Sequence, residues 1–106
     1  MILVCGETLI DLVHVDGEIW RALPGGSPAN TAVALARLST STAMLARISG
    51  DAFGVRLRER LVGHGVDVRY VVKAAEQSSM AVVDLGAGAS AQYFFYLRDT
   101  ADWQWV

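Results

Sequence analysis

Apolar residues in this chain fall into short unbroken runs and one clear helical stripe. Residues 1–5 (Met-Ile-Leu-Val-Cys) form an apolar run closed by Gly6, the pattern of a strand buried on both faces of a parallel sheet. Cys5 is then expected to be a small core residue. Residues 8–15 continue in β-forming types, with one acid, Asp11, among apolar neighbours. Asp16-Gly17 signals a hairpin turn, residues 18–23 return as its second arm, and Pro24 stops that arm. Small apolar residues over 29–38 predict a buried helix, and residues 42–48 a second core strand. Asp51 is the expected N-cap of a helix over 52–62, where Phe53, Leu57 and Leu61 recur every fourth position. Arg56, Arg58, Glu59 and Arg60 spread over its remaining surface, Gly63 and Gly65 end it, and His64 between them faces solvent. A third short strand is expected over 66–72. Residues 78–85 and 91–97 then read as a long β-hairpin, joined through a Gly-Ala-Gly-Ala-Ser connection.

Strands separated by helices of this length predict an α/β fold with a parallel sheet. The two hairpins are expected to form a smaller separate sheet. Standing over Gly25-Gly26, that sheet is expected to act as a lid, with apolar strands that a partner subunit would cover.

The chain is organised about Gly25-Gly26-Ser27-Pro28-Ala29-Asn30. Two glycines allow a sharp turn and close approach of a ligand to the backbone. Ser27 is the expected N-cap and Pro28 the first helical residue, where its missing N–H costs nothing. The free N–H groups of the helix start would suit a hydroxyl-rich ligand or an anion, with the Asn30 amide facing the mouth. The same pattern equally fits a plain capped helix. It matches neither G-x-x-x-x-G-K-[ST] nor G-x-G-x-x-G, so a nucleotide is not expected there. Asp11 either takes hydroxyl donors at this mouth or is an edge-strand acid facing water.

Composition narrows the partners. The 106 residues are 53% hydrophobic and 19% charged, against about 25% charged in a typical domain. A chain this apolar suits part of a larger body. Its net charge is −2 with no basic tract, which argues against nucleic acid. No apolar run approaches the roughly 18 residues that span a bilayer, so no membrane partner is expected. A start without basic residues and a single cysteine fit a cytoplasmic protein. His14 has no partner at metal-ligand spacing, so no metal is assigned to protein ligands.

Taken together, Gly6-Glu7 with Ile10-Asp11, the Gly25–Ala32 block, Ser49-Gly50-Asp51 with Phe53-Gly54, Gly65-Val66-Asp67, and Phe95-Tyr96 with Arg98 and Ala101-Asp102 form a series. It resembles the N-terminal part of the ribokinase-like (PfkB) carbohydrate kinases over essentially all 106 residues. Within that family it is most similar to bacterial fructokinases. The resemblance implies a three-layer α/β/α fold with a small β-sheet lid, core elements in 1–8 and 25–73, and lid strands in 9–23 and 77–98. It implies transfer of the ATP γ-phosphoryl group to a sugar hydroxyl with Mg²⁺. By position, Asp11, Gly25, Gly26 and Asn30 match residues that bind the sugar, and Tyr96 and Arg98 fall where some members place lid contacts. Fructose is the first expected sugar, 2-keto-3-deoxygluconate the next, ribose after it. A homodimer through the lid is also expected.

The family's catalytic base and anion hole lie in a downstream Gly-Ala-Gly-Asp motif, with the nucleotide pocket. Gly86-Ala87-Gly88-Ala89 only imitates that motif: Ala89 cannot accept a proton, and the segment reads as a turn. No catalytic residue is therefore expected in this chain, and the ATP and Mg²⁺ sites are expected to be largely absent. Two tryptophans at 103 and 105 with no capping signal read as a cut end. The alternative is a truncated, non-catalytic sugar-binding or lid-dimerising module.

Overall fold

In the computed structural model the described residues are 1–85 and 90–105. The elements run β1 (Ile2–Cys5), β2 (Leu9–Asp16), β3 (Ile19–Gly25), α1 (Ser27–Arg37), β4 (Thr42–Ser49), α2 (Ala52–Gly63), β5 (Val71–Ala74), β6 (Met80–Asp84) and β7 (Gln92–Tyr96), then a 3₁₀ turn at Ala101–Trp103. Two sheets result. One is the parallel sheet β1-β4-β5, and the other is the four-stranded sheet β3-β2-β6-β7. In the second, β2 and β6 run parallel at the centre while β3 and β7 pair antiparallel at the edges. The class is mixed α/β, and the two hairpin-derived segments do share a separate sheet.

The core gathers Met44, Ala46 and Ile48 from β4, Ala29, Ala32 and Val33 from α1, Leu57 and Leu61 from α2, and Val66. Ile10 of the second sheet is fully buried in this same cluster, with Ala22 and Met80 packed against it, and these side chains tie the two sheets together. The four-residue spacing in α2 behaves as its sequence implies, with Phe53 packed against the cluster beside the buried Leu57 and Leu61. No helix among the described residues is long and apolar enough to cross a membrane.

Several expectations are corrected by the packing. The first strand is not buried on both faces. Among the described residues it pairs with β4 alone, at a sheet edge, and Ile2 and Leu3 are exposed. Cys5 is exposed too, rather than a core residue. Pro24 does not stop β3. An edge strand has a row of N–H groups with no partner, so proline costs little there, and Pro24 pairs with Ile10. The helix over 29–38 is buried on one face only: Ala34 and Leu38 are exposed. The third strand begins at Val71 rather than at residue 66. Asp67 makes a single bridge to Ala43, and its carboxylate accepts from the Arg69 N–H, which turns the chain before pairing with β4 resumes. Ser78 and Ser79 stand outside β6, spent on side-chain hydrogen bonds. The Gly86-Ala87-Gly88-Ala89 turn lies outside the described residues.

Asp51 caps α2 as expected. Its carboxylate accepts from Gly54 N–H at 2.8 Å, Ser78 N–H at 2.8 Å and Ser78 Oγ at 2.6 Å, which joins α2 to the segment leading into β6. Burial pushes this carboxyl up, but the bonds from Ser78, Gly54 and Ser49 outweigh burial and hold it below the usual range. Asp51→Ala is expected to cost about 1–2 kcal/mol in urea denaturation. A depressed acid stabilises the fold above its unfolded pKa. The gap between wild type and variant should therefore close as pH falls below about 4.

Candidate functional site

The site is built where β3 hands the chain to α1. Gly26, not Ser27, is the N-cap residue of α1, and no side chain caps that end. Ser27 and Pro28 are the first helical residues. The reason is conformational: Gly26 holds φ at 97°, which other residues rarely adopt. A Cβ there would also come within 2.9 Å of the Glu7 carbonyl oxygen.

Gly25 and Asp11 are neighbours. In register Leu9 pairs with Gly25 and Asp11 with Leu23, which puts Asp11 and Gly25 on one face. A Cβ on Gly25 would collide with the Asp11 carboxylate. The space freed by the two glycines is thus taken by the chain's own groups: the Asp11 carboxylate at Gly25 and the Glu7–Thr8 backbone at Gly26. Asp11 is half-buried, and among the described residues its carboxylate has no hydrogen-bond or ion-pair partner. Burial pushes its pKa up. A carboxylate drawn partly out of water without donors is left able to accept hydrogen bonds from N–H or O–H groups.

Asn30 lies in the first turn of α1, exposed, with its backbone N–H bonded to the Gly26 carbonyl at 2.9 Å. Its Oδ1 accepts from Arg60 Nη2 at 2.9 Å. Arg60 is therefore not a surface residue of α2 like Arg56 and Arg58. It is half-buried, its Nη1 is buried with no partner among the described residues, and burial pushes its pKa down. Its place beside Leu61 and three positions after Leu57 was the one available signal.

Tyr96 and Arg98 are not brought to Asp11 in the same way. Asp11 pairs with Ala81, and Ala81 with Phe95, so Phe95 shares the Asp11 face. Tyr96 pairs with Met80, on the Ile10 face of the sheet. Arg98 is exposed in the turn after β7. Phe95 stacks on Tyr93 with centroids 6.5 Å apart, and all of β7 is exposed.

Asp102, noticed in the sequence only within Ala101-Asp102, is buried at 6% exposure. Its Oδ1 accepts from the Thr8 N–H at 3.2 Å, which ties the chain after β7 to the start of β2, next to Gly26. Burial raises its pKa, despite bonds to Ser79 and Thr8 that lower it. His14 Nδ1 lies 3.3 Å from Asp84 and its Nε2 2.7 Å from the Gly17 carbonyl. Among the described residues no three His, Cys, Asp or Glu side chains gather as a metal site. A groove of about 530 Å³ runs between α2 and β5, past Val55, Arg58, Val71 and Lys73, and none of the candidate residues lines it.

Comparisons with known proteins bear on the family and the fold. The pfkB family carbohydrate kinase model matches residues 1–106. A Klebsiella pneumoniae fructokinase is 40% identical over 102 residues, covering 93% of this chain and 33% of its own length. A Xylella fastidiosa fructokinase solved with bound ATP superposes with a TM-score of 0.92 at 30% identity, over 98% of this chain and 32% of that one. A Vibrio cholerae O395 fructokinase, solved with fructose, ADP and calcium, gives a TM-score of 0.82 at 31% identity, over 95% of this chain and 33% of that one. The chain spans about a third of the length of the curated relatives it matches.

Proposed function

The chain belongs to the pfkB family of carbohydrate kinases, and on that premise we propose that it supplies the sugar-binding half of an enzyme that phosphorylates a sugar hydroxyl from ATP. The observation that carries this reading is the unpartnered Asp11 carboxylate lying against Gly25 at the α1 mouth. Sugar hydroxyls would donate to Asp11, and the Asn30 amide would hold a neighbouring sugar oxygen. Gly25 keeps that carboxylate close to the backbone, and Gly26 lets the Glu7–Thr8 backbone come close beside it. The β3-β2-β6-β7 sheet is read as a lid that excludes water once the sugar is seated.

Fructose is the proposed substrate, supported by the fructokinases among the relatives, with 2-keto-3-deoxygluconate and ribose behind it. ATP as donor is supported by the ATP-bound relative. Mg²⁺ would supply neutralisation of phosphate charge. The described residues do not gather a set of ligands for it. The base and the anion hole are proposed to come from residues outside these 106. On this reading the isolated chain binds sugar without turning over ATP. Tyr96 and Arg98 remain proposed lid contacts, made as the sheet closes. The exposed Tyr93, Phe94, Phe95 and Tyr96 suit a homodimer through the lid in the cytoplasm.

The test is a panel of sugars assayed with ATP on the intact gene product. Phosphorylation of fructose ahead of the other sugars is the expected result. Sugar binding without ATP turnover by the intact product would favour the non-catalytic module instead.

A further inference from the structure

Arg60 Nη2 donates to Asn30 Oδ1 at 2.9 Å. A guanidinium has donors only, so the oxygen of the Asn30 amide must be the atom that faces it. The NH₂ end must then point the other way, and among the described residues Nδ2 has no partner. Stability does not account for the guanidinium. Its Nη1 is buried and unpaired, and no carboxylate pairs with Arg60 among the described residues. A methionine of similar length would cover the same apolar surface without stranding a buried donor.

The geometry points to Arg60 as a positioning residue that fixes the polarity of Asn30, so that the site presents one donor and one acceptor to the sugar. Asp11 accepts a hydrogen bond from one hydroxyl, and Asn30 Nδ2 donates to the oxygen of another. Two hydroxyls of a polyol match that pair, and a deoxy analogue lacking either leaves a polar group unpaired. Holding the amide in one orientation before the sugar arrives also spares the cost of ordering it on binding. This rests on reading Asn30 as a sugar ligand.

The test is a double-mutant cycle in the intact gene product: wild type, Asn30→Ala, Arg60→Met and the double variant, each with fructose and with ATP varied. Arg60→Met is expected to raise the KM for fructose by about fivefold, the scale of one hydrogen bond, and to raise it more than it lowers kcat. The KM for ATP should stay where it is, and thermal stability should not fall. In the Asn30→Ala background, Arg60→Met should add nothing further. Arg60→Lys should recover part of the loss, because an ammonium still donates to Oδ1. If Arg60→Met raises the KM by the same factor with or without Asn30, or leaves it unchanged in the wild type, the positioning role is wrong while the site stands. If Asn30→Ala itself leaves the fructose KM unchanged, the site reading fails and this role falls with it. Should Arg60→Met not fold, Arg60→Leu, which also has no donor, carries the same cycle.

Discussion

Asp11→Asn is expected to lower kcat/KM for the sugar by about a hundredfold or more in the intact gene product. A hydrogen bond to a charged acceptor contributes about 1.5–3 kcal/mol, an amide in its place also turns an N–H toward the hydroxyl, and 1.36 kcal/mol is a factor of ten. The same change should stabilise the sugar-free protein at neutral pH. Burial raises the Asp11 pKa, so the charged form opposes folding. The sign follows directly. An acid whose folded pKa is raised favours the fold fully below its unfolded pKa, and that contribution is lost as pH rises through the folded value. The stability advantage of Asp11→Asn should therefore shrink as pH falls toward about 4. Denaturation at several pH values, beside steady-state kinetics, measures both halves. A variant that loses activity and stability together would mark Asp11 as merely structural.

Leu61→Ala should have the largest effect on folding. Leu61 is fully buried on α2, in the cluster that also holds Met44, Leu57 and Ile10. Emptying such a site costs about 2–5 kcal/mol, according to how far the neighbours collapse into the cavity. A chain of this size has roughly 5–15 kcal/mol in total. Leu38 is 76% exposed, and Leu38→Ala should lie within about 0.5 kcal/mol of wild type. Urea denaturation of both variants separates a leucine that carries the core, in α2, from one at the end of α1 that does not.

The contrast between those leucines shows what a sequence conveys. The Phe53, Leu57 and Leu61 spacing was legible because one helix face sees one environment, and periodicity reports that face directly. The run over residues 1–5 announced a strand but not its neighbours. Apolar side chains gain by leaving water, yet their order along the chain does not say which surface will cover them. Pro24 misled for the same reason, since whether a strand lies at an edge is a property of the sheet. Ser27 looked like the cap because its side chain can serve, but the backbone needed positive φ one residue earlier, at Gly26.

The candidate site was legible as residue types and not as directions. Asp11 stood out as a lone acid among apolar neighbours, and the glycines as a turn before a helix. Tyr96 and Phe95 differ by one position, and in a strand one position is the whole difference between faces. Only the register through Ala81 assigns Phe95 to the side of Asp11. Arg60 was hidden among three other charged residues of α2, and only the packing of α1 beside α2 singles it out.

A crystal structure of the intact gene product with fructose bound would test the central claim most directly. The Asp11 carboxylate should lie about 2.6–3.0 Å from sugar hydroxyl oxygens, with the Asn30 NH₂ end on a further oxygen. A sugar seated elsewhere, with the Asp11 side chain turned into bulk water, would contradict it.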